Sequence, residues 1–261
     1  MPWGPYETLI VDETDQVVTI TMNRPRRKNA ANSVMWDELS AVVRDLHSAD
    51  HVRAVVLTGA GGDFCSGADV SGEETRSRHM IHSMRHIGDL CLSLQRLAQP
   101  TVAKVRGVAA GAGLNMALAC DMVIASDGAR FSEIFARRGL VVDFGGSWIL
   151  PRLIGMHRAK ELVLLADIID AAEADRIGLV NRVVSDDELD GVVDGIVSRL
   201  ASGPPIALAM SKRLLNNSLD VTLEQALDDE GLAQTITFGT EDVAEAMQAF
   251  IEKRDPVFRG R

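Results

Sequence analysis

Apolar positions along this chain fall into two kinds of run. Val17-Val18-Thr19-Ile20-Thr21-Met22 and Ala54-Val55-Val56-Leu57-Thr58 are short and rich in β-branched residues. Each is bounded by polar residues or glycine, the pattern of a strand. Thr101 to Val105 and Met122-Val123-Ile124-Ala125 read the same way. Between these runs the period changes. Met35, Leu39, Val42, Val43 and Leu46 recur at helical spacing behind Ser33, which is expected to cap the helix. Met80, Met84, Ile87, Cys91, Leu94 and Leu97 form a second helical stripe, stopped by Pro100. Strand followed by helix, repeated, predicts a layered α/β core.

Asp143-Phe144-Gly145-Gly146-Ser147 opens another helix that runs through Trp148, Leu150, Leu153 and Ile154. From Ala159 onward apolar residues keep helical spacing, apart from turns near Gly178 and Gly203-Pro204-Pro205. The remainder of the chain is therefore expected to be a helical layer attached to the core.

Composition narrows this picture. With 261 residues and 46% hydrophobic content, the chain can bury a large core in one extended domain or a domain with a small appendage. No apolar run approaches the ~20 residues that span a bilayer, so no membrane partner is expected. The segment Met1 to Glu7 has neither the basic start nor the apolar core of a signal peptide. Cys65, Cys91 and Cys120 are odd in number and lack metal-site spacing, so free thiols in a reducing, cytoplasmic setting are expected. A net charge of -10 argues against nucleic-acid binding, which needs a basic footprint.

Two local clusters stand out from that average. Arg24, Arg26, Arg27 and Lys28 crowd around Pro25, either as a solvated loop or as a phosphate contact. His79, His82 and His86 share a helix face. No carboxylate or cysteine completes a metal pattern there, so a solvated or pocket-lining face is expected and no metal. The polar stretch from Ser71 to about Arg78 is expected to be mobile.

The stretch Arg106 to Ala117 organises the rest. Its glycines and alanines, Gly107, Ala109, Ala110, Gly111, Ala112 and Gly113, lie between a strand and a small-residue helix. Such a junction admits close packing of another backbone, or a ligand. A helix N-terminus there leaves amides unbonded and carries partial positive charge, suited to an anion or a developing oxyanion.

Six stretches in order resemble the crotonase superfamily, the enoyl-CoA hydratases and isomerases. They are Thr21-Met22-Asn23-Arg24-Pro25 with Asn29-Ala30, Phe64 to Val70, and Gly107 to Gly113 closing on Ala119-Cys120-Asp121. Gly139-Leu140 with Gly145-Gly146-Ser147, Ala174 to Val180, and Phe250 to Arg254 complete the set. The resemblance runs nearly end to end. It implies an α/β fold, a crotonase-like ββα spiral core over residues 1–200. A C-terminal helical trimerisation region over 201–261 is implied with it, giving a homotrimer or dimer of trimers.

The same resemblance implies an acyl-CoA thioester as substrate, with coenzyme A as part of it and no separate cofactor. The backbone amides of Ala68 and Ala112 would hold the thioester oxygen. Arg26, Arg27, Ser66, Ala68, Asp69, Val70 and Lys253 would contact the coenzyme A portion, with Arg254 also within reach of a phosphate. For Asp69 a turn-holding role competes with that contact.

At the proton-handling positions the chain departs from the hydratase pattern. Asn115 and Phe135 stand where hydratases carry two glutamates, and neither can take a proton at neutral pH. Strong hydration is therefore not expected. Asp143 matches the aspartate that serves as base in isomerases of the superfamily, of the phenylacetate-pathway ring-epoxide and dienoyl-CoA types. Its neighbours Val141, Val142 and Phe144 would raise its pKa. Gly111, Asn115, Phe135 and Val142 are expected around the substrate.

Asp143 could instead cap the following helix near Ser147. Glu133 is a reserve carboxylate, read as a polar residue of a strand or turn. The leading expectation is double-bond isomerisation by Asp143. Hydration, an aspartate-nucleophile aryl-CoA dehalogenase, and a non-catalytic acyl-CoA binder are the alternatives.

Overall fold

A computed structural model describes residues 3–71 and 79–261. Nine strands occur among the described residues: β1 (Leu9–Thr14), β2 (Val17–Met22), β3 (Ala54–Gly59), β4 (Thr101–Val105), β5 (Val108–Ala110), β6 (Met122–Ser126), β7 (Arg130–Ser132), β8 (Ile169–Asp170) and β9 (Arg182–Val184). The helices are α1 (Ser33–Leu46), α2 (Met80–Gln95), α3 (Ala112–Leu118), α4 (Gly146–Ile154), α5 (Met156–Leu165), α6 (Ala171–Arg176), α7 (Leu189–Ala201), α8 (Pro205–Asn217), α9 (Leu223–Phe238) and α10 (Glu241–Glu252).

One sheet runs β1-β2-β3-β4-β6-β9, parallel except for the antiparallel β1. A smaller sheet runs β5-β7-β8. The continuous apolar run of β3 reflects burial on both faces, as a central parallel strand requires. Val55 and Leu57 join the main core with α1, α2 and α3. Ala54 and Val56 face a second cluster closed by Leu189, Val193 and Val197 of α7. Arg106 reaches Asp186 and Asp190, and Lys104 reaches Asp190 at 2.7 Å, tying α7 to the sheet.

Several expectations need correction. Asn32, not Ser33, caps α1, its side chain accepting from the Met35 N–H at 3.0 Å. Helix α2 ends at Gln95, so Leu97 is buried beyond it, and Met80 and Met84 are exposed. The region expected to be wholly helical contains β8 and β9, and β9 extends the main sheet. Strands of two and three residues are too short to show a period of two. His79 caps α2, and His86 lies 2.9 Å from Asp37, while no metal-holding cluster occurs among the described residues. The stretch expected to be mobile falls, from 72 to 78, outside the described residues.

All three cysteines are buried free thiols. No described helix is long and apolar enough to cross a membrane. The last three helices expose a series of large apolar side chains, Leu215, Leu223, Leu227, Leu232 and Phe250 among them.

Candidate active site

The loop after β3 is drawn onto the small sheet. The Cys65 N–H donates to Val108 O, and Cys65 O accepts the Ala110 N–H, each at 2.9 Å. Farther along, the loop makes one parallel bridge with Ala31. Gly67 O accepts the Ala31 N–H and Asp69 N–H donates to Ala31 O. In such a bridge the flanking residues make the bonds, so the Ala68 N–H points the other way. Gly67 has a φ of +100°, and a Cβ there would lie 2.9 Å from Ala110 O and 3.7 Å from Ala112 N. The Ala68 turn therefore packs directly on the corner between β5 and α3.

Ala112 is the first residue of α3, where an N–H has no partner in its own helix. Gly113 lets this helix approach, because a Cβ on it would meet Cys65 O at 2.3 Å. Among the described residues neither the Ala68 nor the Ala112 N–H has an acceptor. Both residues line a cavity of about 480 Å³, with Asp143 among its other walls.

Asp143 belongs to the loop before α4. That helix is capped by Gly145, without any side-chain cap, so the capping reading of Asp143 fails. Its backbone carbonyl accepts instead from Gly146 N–H at 3.0 Å and from Asn115 Nδ2 at 2.9 Å. The side chain is left to the cavity, half-buried, with Oδ1 unpartnered. Burial pushes its pKa up to about 6.

Asn115 is wholly buried behind the cavity wall, so it straps the Asp143 loop to α3 rather than lining the substrate space. Gly111 and Phe135 do line it. Val142 does not, packing toward Gly146.

Of the residues expected at coenzyme A, Arg27, Ser66, Asp69 and Val70 border the cavity. Arg26 is exposed and Lys253 caps α10, and both are outside the lining. Arg254 is engaged by Glu245 and Glu252. Asp69 pairs with Arg24 at 2.9 Å and accepts from Ser71 N–H, which holds the turn and lowers its pKa against the opposing effect of burial.

Arg130, Arg138 and Ile168 also border the cavity and were not foreseen. They arrive through β7, β8 and the 3-10 turn at Ile134–Arg138, and the pairing of such short pieces leaves no mark in a single sequence.

The sequence profile described as Enoyl-CoA hydratase/isomerase matches residues 12–261. The chain is 38% identical to the short-chain-enoyl-CoA hydratase of Clostridium acetobutylicum over 94% of its own length and 95% of that protein. It is 35% identical to the 1,2-epoxyphenylacetyl-CoA isomerase of Escherichia coli over the same shares. The crystal structure of an enoyl-CoA hydratase from Bacillus anthracis superposes with a TM-score of 0.93 at 34% identity, covering 98% of this chain and 100% of that one.

Proposed function

Because this chain belongs to the enoyl-CoA hydratase/isomerase family, we propose that it shifts a double bond in an enoyl-CoA, with Asp143 as acid and base. The observation that carries this reading is an unpartnered carboxylate in the same cavity as two unbonded backbone amides.

In the proposed reaction the thioester oxygen receives the N–H groups of Ala68 and Ala112. The Asp143 carboxylate removes a proton from carbon, and the electron pair moves onto that oxygen as an enolate. The now neutral Asp143 returns the proton to another carbon of the conjugated system. One carboxyl group suffices, since the proton leaves and re-enters on it. Each amide is worth about 3–4 kcal/mol to an oxyanion in an enclosed site. A pKa near 6 leaves Asp143 ionised at neutral pH yet basic enough for the task. Arg27, Ser66 and Val70 support the coenzyme A end, with Asp69 fixing their turn.

A second reading has a specific observation behind it: several relatives carry the name hydratase. Against it stand an amide at 115 and a phenyl ring at 135. In the dehalogenase alternative Asp143 attacks the halogen-bearing ring carbon, the carbon–halogen bond breaks with release of halide, and the aryl ester left on Asp143 would be revealed by mass spectrometry of the protein.

The test offers purified protein a panel of 2-enoyl- and 3-enoyl-CoA thioesters and follows the conjugated product by ultraviolet absorbance. Conversion of 3-enoyl to 2-enoyl-CoA, abolished in Asp143→Asn with coenzyme A binding retained, is the expected result. Hydration faster than isomerisation, or normal turnover by that variant, rejects the reading. The exposed apolar faces of α8 to α10 support an assembly of like copies, a homotrimer or dimer of trimers.

A further inference from the structure

Glu133 sits between β7 and the 3-10 turn, and its neighbours Ser132, Ile134 and Phe135 all line the cavity while it does not. It has no exposed surface. Its Oε2 accepts the Asn115 Nδ2 at 3.4 Å, and Oε1 has no partner. The same Nδ2 also serves the Asp143 carbonyl. Three buried oxygens of this group, Asn115 Oδ1, Glu133 Oε1 and Asp143 Oδ1, are left as acceptors without a donor. Buried acceptors in that number call for another proton, and a carboxylic acid supplies one as an O–H.

We propose that Glu133 is a positioning residue which, as an uncharged buried acid, anchors Asn115 and keeps a second negative charge away from Asp143. The inference rests on Asp143 being the acid/base of the proposed isomerase.

The surroundings of Glu133 favour the uncharged form. From α3 it meets the Asn115 amide, and from the loop before α4 it meets the like charge of Asp143. Arg137 on the adjoining turn is paired with Asp167, and Arg138 is exposed. Arg130 on β7 donates to the carbonyls of Gly128 and Ala129. Helix α5 packs on the turn, and its His157, Lys160 and Glu161 are exposed, with Arg158 near Glu173. Cys91 of α2 faces Asp143 and, buried, is itself shifted away from ionisation. Burial, chiefly, pushes the pKa of Glu133 up to about 8, the Asn115 contact opposing and Asp143 adding.

An ionised Glu133 beside Asp143 would place two negative charges in one wall and remove the O–H donor that the unpartnered oxygens around it need. Activity of the full chain should therefore rise through about pH 6 and fall about tenfold per pH unit above about 8. Glu133→Gln should keep KM and the acid limb but lose the alkaline fall, which a merely structural role would not alter. An alkaline limb unchanged in Glu133→Gln overturns the proposal.

Infrared difference spectra of the full chain taken across the same pH range supply a readout independent of turnover. A protonated carboxyl band that ionises near pH 8 should be present in the wild type and in Asp143→Asn, and absent from Glu133→Gln. If no enoyl-CoA is turned over, the proposed function fails while this band still decides the state of Glu133. If Glu133→Gln does not fold, removal of the Asp143 charge should lower the midpoint of the band in Asp143→Asn. An unmoved midpoint, or no such band, overturns the proposal.

Discussion

Asp143 is aimed by the residue after it. Phe144 adopts a φ of +47°, unusual for an aromatic side chain, and buries its ring 5.8 Å from that of Trp36. The backbone turn pays its strain through that anchorage, and Cys91 adds a thiol hydrogen bond to Phe144 O. Phe144→Ala should remove about 3–5 kcal/mol of stability, read from urea unfolding, and lower kcat more than it raises KM.

The two raised carboxyl groups also set a pH dependence of stability. Both pKa values lie above their unfolded values, so the native state binds protons more tightly than the unfolded chain. Their contribution is complete below about pH 4 and is lost as pH rises through about 6 for Asp143 and about 8 for Glu133. Against that background the urea midpoint of the wild type should decline from pH 5 to 9 more steeply than that of Asp143→Asn with Glu133→Gln. Equal slopes would contradict the assignment.

At the scale of elements, the site depends on how closely α3 lies against the loop after β3. Gly113→Ala would drive a methyl group into Cys65 O and separate the two amides. Its expected effect is a loss of roughly 10²–10³-fold in kcat, the cost of one oxyanion donor, with tighter inhibition by enolate analogues lost as well. Binding of free coenzyme A, measured by calorimetry, should change little.

The elements that carry this contact were unevenly legible. Strands β2, β3, β4 and β6 and helices α1 and α2 announce themselves by period and apolar content. β1 does not, because its second half is exposed and reads as Asp-Glu-Thr. β5, β7 and β8 hold two or three residues each, and what makes them strands is pairing with partners distant in sequence. Ala68, Ala112 and Asp143 were singled out through a resemblance to known sequences, whereas Glu133 stood only as a reserve carboxylate, read as a polar residue of a strand or turn. A lone glutamate next to a strand gives no sign of burial until the small sheet closes over it.

For the whole molecule, the unpaired surface is the informative feature. Helix α8 has no buried residue in the single chain, and Leu223, Leu227 and Phe250 are 77%, 57% and 84% exposed. Such an expanse supports the proposed assembly of like copies. Light scattering of the purified protein should give a mass that is a multiple of three chains. Leu227→Glu combined with Phe250→Glu should shift it to smaller species while leaving the fold, judged by circular dichroism, intact. A monomeric wild type would exclude the assembly.

The two amides that face the cavity belong to the backbone, and this has a consequence for how such a scaffold changes over generations. No replacement of Ala68 or Ala112 by another residue, proline apart, removes an N–H group. This pair of amides is therefore shielded from ordinary point mutation so long as the chain folds. The proton handling proposed for the site rests on side chains, Asp143 with Asn115 and Glu133 behind it, each exchangeable by a single substitution. A lineage built on this frame can thus exchange those side chains one at a time without ever giving up the two amides.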